Sequence, residues 1–293
     1  MDGAYGARLS QLRGGNLGTR SGHRTARPRW AQLARVGSVI RPELSLRVVE
    51  SAGDIAAAAA PIVLAAEREA IAERGVFRIA LAGGATPRPL YSLLASMRDP
   101  GPSFQRWQIF FGDERMVPAG HPDSNYRMVR EALLDRAAIP PQRVHRVPTE
   151  AGSAAQAAAL YAAELRSCFA LAYGQLPRFD LVLLGLGTDG HTASLFPGSS
   201  AVTETSTQPV VATWVEKLAA DRITLAVGAI NAARTVVFLV AGADKAPALR
   251  AVLGADAQAD AGAPAPPARA IAPADGELIF VVDRAAATGL PTG

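Results

Sequence analysis

One stretch, Phe179–Ser199 with the sequence FDLVLLGLGTDGHTASLFPGS, restricts the fold more than any other. Leu181–Leu184, closed by Gly185, is an apolar run without alternation, which predicts a strand buried on both faces and hence a parallel sheet covered by helices. Glycines at 185, 187 and 190 follow, where the chain must turn tightly and approach something closely. Asp189, His191, Thr192 and Ser194 arrive next, and Pro197-Gly198 stops any long helix. An Asp-Gly-His corner at the carboxyl end of a buried strand is where an open α/β sheet places ligand chemistry. GLGTDG also satisfies G-x-G-x-x-G, but that fingerprint needs a long helix directly after the loop and an acid about 20 residues on. Pro197 arrives seven residues past Gly190 and no second strand follows promptly, so the dinucleotide reading is rejected.

The rest of the chain repeats the alternation of strand and helix. Strands are expected at Leu46–Glu50, Phe77–Ala82, Trp107–Phe111, Val210–Thr213, Ile223–Val227, Thr235–Ala241 and Glu277–Asp283. Helices are expected over Ala52–Arg74, from Pro87 to about Met97, from Asn125 to about Asp135 behind a Ser124 cap, over Ser153–Ala172, and after Lys245 to about Leu253. Residues 255–270, rich in Ala, Pro and Asp, read as a flexible surface loop, and the residues after Asp283 as a tail. No internal repeat or linker interrupts 45–287, which predicts a single parallel-sheet α/β domain over 45–293.

Charge divides the chain. The net charge is +4, but residues 1–42 carry eight arginines against one acid, Asp2, for +7, leaving the remainder at −3. A slightly acidic body argues against a nucleic-acid surface there. The basic segment 1–44 has no apolar core of a secretory signal. An organelle transit peptide and a nucleic-acid arm are open readings; composition favours a disordered extension or translation from an upstream start. No apolar run approaches the length of a membrane span. The single cysteine, Cys168, excludes an internal disulfide framework, fits a reducing compartment such as the cytoplasm, and reads as packing within a helical pattern.

Four expected strands end on one edge of the sheet in distinctive loops: Gly83–Thr86, Gly112–Arg115, Gly185–Ser194 and Gly242–Lys245, with Arg222 opening a fifth strand nearby. Together they hold backbone amides, the cations Arg115, Arg222 and Lys245, the carboxylates Asp113 and Asp189, and His191. Several cations with a helix N-terminus suit a phosphate dianion. A histidine beside an aspartate suits general acid–base work near neutral pH. No G-x-S-x-G elbow is present, the Gly-rich turn after Ala82 lacks the G-K-[ST] ending of a P-loop, and histidines 23, 121, 145 and 191 show no metal-ligand spacing. The simplest ligand is a small phosphorylated metabolite.

These segments together resemble the 6-phosphogluconolactonases of the glucosamine-6-phosphate isomerase superfamily. The resemblance lies in AGGATPRPLY, FFGDERMVP, HPDSNYRM, GLGTDGHTASLFPGS, DRITLAVGAINAAR and VFLVAGADKA, in the family's order and across 45–287. It implies a Rossmann-like open, mostly parallel sheet with helices on both faces. It also implies hydrolysis of 6-phospho-D-glucono-1,5-lactone without metal or organic cofactor; the chain itself is expected as a monomer or homodimer, a choice the sequence leaves open. Position by position, His191 matches the family's proposed base and Asp189 its partner. Arg115 matches an arginine facing substrate, and Asp113 an acid that serves as a base in deaminase relatives. Gly83, Gly84, Ala85, Thr86, Arg222 and Lys245 match phosphate-binding positions, with Ala85 standing where serine is more frequent.

One departure separates the activities. Deaminases of the superfamily usually read DGHIAFNEP, with a glutamate before the proline that helps open the sugar ring; this chain has Phe196 there. Loss of that carboxylate is tolerable for lactone hydrolysis and damaging for deamination. The alternatives are an amino-sugar-phosphate deaminase or isomerase, disfavoured by Phe196, and a non-catalytic sugar-phosphate sensor, which has little need of an Asp189–His191 pair.

Overall fold

The computed structural model describes residues 44–99, 101–203, 207–254 and 265–290. The segment 1–43 and residues 255–264, the larger part of the expected surface loop, lie outside the described residues. Those described form strands β1 (Leu44–Val49), β2 (Phe77–Leu81), β3 (Trp107–Phe111), β4 (Asp113–Arg115), β5 (Leu181–Gly185), β6 (Val210–Val215), β7 (Ala220–Leu225), β8 (Thr235–Val240) and β9 (Glu277–Asp283). The α-helices are α1 (Ile55–Arg74), α2 (Arg88–Ser96), α3 (Asn125–Val129), α4 (Ala154–Cys168), α5 (Ser200–Thr203), α6 (Val227–Asn231) and α7 (Ala246–Leu253).

Six strands pair in parallel in the order β1-β9-β8-β5-β2-β3, the expected open α/β sheet. Its centre is the apolar run of the sequence: Leu181, Val182, Leu183 and Leu184 of β5 are at most 1% exposed. Burying each such side chain is worth about 1.5–3 kcal/mol relative to leaving it in water. Helix α1 packs across β2, β8 and β9, and α2 lies against α1. The chain goes from β2 outward to β3 and then returns to the other side of β2 as β5. The carboxyl ends of β2 and β5 are therefore the topological switch point, where such sheets leave a crevice.

The structure departs from the sequence reading in five places. Asp113–Arg115 is strand β4 rather than a loop. It pairs antiparallel with β7, which pairs with β6, in a separate three-stranded sheet. Arg222 consequently lies within β7 instead of opening a strand. The short helix α6 follows β7 where the strand was expected to continue. The end of the expected loop is ordered: Pro267–Ala270 is a 3-10 turn with Ala268 1% exposed. Beyond β9 the chain packs as well, with Ala286 buried and its N–H donating to Asp283 Oδ1 at 2.7 Å. Smaller shifts are local: Pro87 is the cap of α2 rather than its first residue, and α3 passes into a π-helical turn over Arg130–Leu134.

Candidate active site

The corner after β5 is built from its backbone outward. Gly187 N–H donates to His191 C=O at 2.8 Å and Gly190 N–H to Gly187 C=O at 3.0 Å, folding 187–191 into a closed turn. Thr192 Oγ1 donates back to Gly185 C=O at 2.8 Å. A Cβ on Gly187 would lie 2.0 Å from His191 Nδ1, so only glycine lets the ring fold over this turn. Gly190 has φ +78°, and a Cβ there would meet Pro266 Cβ at 2.4 Å. Gly190 C=O accepts from Ala268 N–H at 3.0 Å, so the 3-10 turn after the Ala/Pro-rich stretch braces the corner.

Within this turn His191 Nδ1 lies 2.5 Å from Asp189 Oδ1, and the same oxygen accepts from His191 N–H at 3.1 Å. With Nδ1 held by the carboxylate, Nε2 is the nitrogen left to face a ligand. The ring stacks on Phe196 at 4.2 Å between centroids. Lys217, from the turn joining β6 to β7, ion-pairs with Asp189 Oδ2 and places Nζ 4.7 Å from the Phe196 ring centroid. Burial alone would raise the Asp189 pKa; the Lys217 ammonium and the His191 donors outweigh it and hold the carboxyl well below the usual carboxylate range. Lys217 was not among the residues read as functional from the sequence. Its place depends on the β6–β7 hairpin register, and no local pattern signals that.

The small antiparallel sheet carries the second half. Paired residues share a face, so Asp113 opposite Thr224 and Arg115 opposite Arg222 project together. Ser194, from the His191 corner, reaches this face: its Oγ donates to Asp113 Oδ2 at 2.6 Å and its N–H to Thr224 Oγ1 at 3.3 Å. Asn125 Nδ2 donates to Asp113 Oδ1 at 3.0 Å and to Asp113 C=O at 2.9 Å. Asp113, 8% exposed, thus has both oxygens engaged and ties three loops together. Gly83 belongs to the same knot, since a Cβ there would overlap the Asn125 amide.

Next to Asp113, Glu114 is 2% exposed and accepts from the N–H groups of Asn125 and Tyr126, both at 2.8 Å, and from Ser124 Oγ at 3.1 Å. It fixes the start of α3 while burial pushes its pKa up against those donors. The charged triplet therefore splits into an organising pair, Asp113 and Glu114, and a cation.

That cation is incompletely paired. Arg115 donates through Nη1 to Asp123 C=O, yet its Nε is buried without a partner. Arg222 has no hydrogen-bond or ion-pair partner among the described residues, and its Nε is buried too. Burial, and then the adjacent Arg115, pull the Arg222 pKa below the usual arginine range. Two half-buried guanidinium groups side by side repel each other, and an anion between them would relieve the cost. Lys245, in the turn after β8, pairs with Asp244 at 3.2 Å, and the Gly83–Thr86 turn lies at the adjoining strand ends of the same sheet edge. The structure thus joins His191, Asp189 and Lys217 in one cluster and Arg115, Arg222 and Asp113 in another, bridged by Ser194. Among the described residues, no side-chain hydrogen bond or ion pair links Lys245 or Gly84–Thr86 to either.

Comparison with known proteins follows this geometry. Residues 50–280 match the family described as glucosamine-6-phosphate isomerases/6-phosphogluconolactonase. The chain belongs to that family. Within the glucosamine-6-phosphate isomerase/6-phosphogluconolactonase family it is 46% identical over 222 residues to the 6-phosphogluconolactonase of Synechocystis, covering 76% of this chain and 88% of the relative. It is 36% identical over 247 residues to the human 6-phosphogluconolactonase, covering 83% and 92%. The solved 6-phosphogluconolactonase of Trypanosoma brucei superposes with a TM-score of 0.75 at 32% identity, covering 85% of this chain and all of that one. A monomeric glucosamine-6-phosphate deaminase superposes at 0.67 with 22% identity, a likeness of fold alone.

Proposed function

We propose that this protein is a 6-phosphogluconolactonase, hydrolysing 6-phospho-D-glucono-1,5-lactone to 6-phospho-D-gluconate. The observation that carries the reading is the His191–Asp189 pair with Phe196 stacked on the imidazole, in a family whose matching relatives act on this lactone. An apolar ring in that position supplies no second proton relay, which a lactone does not need and amino-sugar ring opening does.

The phosphate is held by Arg222 and Lys245, with the Gly83–Thr86 amides at the start of α2 adding dipole and N–H donors. Arg115, beside Arg222, faces the lactone. Binding energy from the phosphate places C1 over the corner. His191 Nε2 takes a proton from water as its oxygen bonds to C1. Asp189 holds Nδ1–H and supports the imidazolium. The oxyanion of the tetrahedral intermediate is stabilised by Arg115 or by loop N–H groups. Collapse breaks the bond from C1 to the ring oxygen, which receives the proton from Nε2. Asp113 acts as a positioning residue, because its oxygens are committed to Ser194 and Asn125. No helix among the described residues is long and apolar enough to cross a membrane, and the proposed setting is the cytoplasm.

The test is a coupled assay on freshly generated lactone, with glucose 6-phosphate and its dehydrogenase as source and 6-phosphogluconate dehydrogenase reporting product. Acceleration over spontaneous hydrolysis is expected for the wild type and not for His191→Ala. No acceleration by folded wild-type protein would overturn the reading, and ammonia release from glucosamine 6-phosphate would replace it with the deaminase.

A further inference from the structure

Away from the crevice, the fold brings together three residues that the sequence keeps apart. Glu164 and Cys168 stand one turn apart near the end of α4, so their side chains share a face. His145 follows the bridge between Val144 and Ile109, with its N–H donating to Ile109 C=O at 2.8 Å. It therefore lies beside edge strand β3. Its side chain is 9% exposed, and its ring is stacked on Phe110 at 4.6 Å with a 12° tilt, so its direction is fixed by the core. Nδ1 points at Glu164 Oε1, and Cys168 Sγ lies against the ring face, 3.5 Å from Nδ1 and 3.8 Å from Nε2.

We propose that His145, Glu164 and Cys168 form a binding site for a borderline-soft divalent cation, Zn2+ before others. Cys168 Sγ is 3.5 Å from His145 Nδ1 and 3.5 Å from Glu164 Oε1, and Nδ1 is 2.6 Å from Oε1. For zinc–ligand bonds of about 2.0–2.3 Å, tetrahedral geometry puts the ligand atoms about 3.4–3.6 Å apart. Two of the three edges already have that length, and Sγ has to swing off the ring face to meet a metal that Nδ1 holds in the ring plane. The third opens by less than about 1 Å if Glu164 exchanges its hydrogen bond for the metal; its side chain is 48% exposed and free to rotate.

The donors select the ion. A thiolate and an imidazole favour zinc over magnesium or calcium, and one carboxylate keeps the site near neutral once the thiol proton has left. Solvent on the Glu164 side supplies a fourth ligand. Arg78 donates to Cys168 C=O at 3.5 Å and its guanidinium carbon lies 5.0 Å from the Phe169 ring centroid, and no hydrogen bond joins it to the thiol. None of the three residues belongs to the hydrolytic machinery, so zinc would clasp the segment beside β3 to α4 without entering the reaction.

The experiment is a titration of chelator-stripped, full-length protein with Co2+, followed by Zn2+. One equivalent of Co2+ is expected to give a thiolate-to-cobalt charge-transfer band in the near ultraviolet, which Zn2+ then bleaches. Cys168→Ser should abolish the band, His145→Ala should weaken zinc binding at least tenfold, and both should retain wild-type lactone hydrolysis. Absence of the band, or zinc affinity unchanged in Cys168→Ser, would overturn the site. Should Cys168→Ser fail to fold, alkylation of the wild-type thiol decides instead: zinc must slow it at least tenfold, and equal rates with and without zinc reject the proposal.

Discussion

His191 and His145 each set Nδ1 against a carboxylate, at 2.5 Å from Asp189 and 2.6 Å from Glu164, and each lays its ring on a phenylalanine, Phe196 and Phe110. Their surroundings then diverge. The partner of His191 lies two residues away and also binds the His191 N–H, with a lysine on its other oxygen. That carboxylate, the ring and the backbone form one unit. His145 takes its partner from a helix 19 residues on and has a thiol beside it. One histidine stands at the carboxyl end of the central strand, in a corner that Ser194 links to the small sheet carrying Arg115 and Arg222; the other stands at a sheet edge. A histidine, a carboxylate and an aromatic ring do not make a catalytic group by themselves. On the proposed function, what sets His191 apart is its placement at the switch point, near Arg115 and Arg222.

The comparison breaks first on activity. His191→Ala should lower kcat/KM by about 10²–10⁴, while His145→Ala should stay within about twofold. A comparable loss in His145→Ala, measured above spontaneous hydrolysis, would erase the distinction. Next in size is Arg222→Met. Loss of a charged hydrogen bond of about 1.5–3 kcal/mol should raise KM about 10–100-fold with a smaller change in kcat, and an unchanged KM would remove Arg222 from the phosphate site.

Backbone effects come third. Gly190→Ala forces a left-handed residue against Pro266 and should cost about 1–3 kcal/mol in urea unfolding, with activity falling too. Full activity at reduced stability would show that the corner tolerates displacement. The smallest effect concerns acid. The Asp189 carboxyl is depressed, so its contribution is complete above the ordinary carboxylate value and is lost as pH falls through the folded value. The stability gap between wild type and Asp189→Asn should therefore hold from about pH 7 to about pH 4 and close only below that. Urea midpoints across that range would show whether it does.

The parallel sheet was legible because its strands announce themselves locally. Trp107–Phe111 and Glu277–Asp283 begin and end where apolar content predicts. The Asp-Gly-His corner was legible for the same reason. Strand β4 was not: three polar residues have no periodicity, and their strand character comes from pairing with Ile223 and its neighbours more than a hundred positions on. Lys217 and the 3-10 turn at Pro267 escaped likewise, since each acquires its role through a contact across the fold; Ser194 was visible in the corner, but its bond to Asp113 was not. Glu114 looked like part of a charged functional loop and serves as a buried helix cap. The His145–Glu164–Cys168 cluster is the extreme case, because ligand spacing along the chain cannot reveal donors supplied by two separate elements.

Gly112 gives the molecule a further property. Its N–H donates to Leu81 C=O in the parallel sheet at 2.9 Å, while its C=O accepts from Leu225 N–H in the antiparallel one at 2.8 Å. A single peptide unit on each side of one α-carbon belongs to a different sheet, so no slack separates them. The small sheet that carries Arg222 is therefore tied without slack to the large sheet whose central strand delivers His191, like the jaws of a locked caliper. Substrates would be sorted by the distance between their two ends. On the proposed function, a shorter phosphorylated lactone would be gripped normally and cleaved poorly, because its carbonyl would stop short of the imidazole.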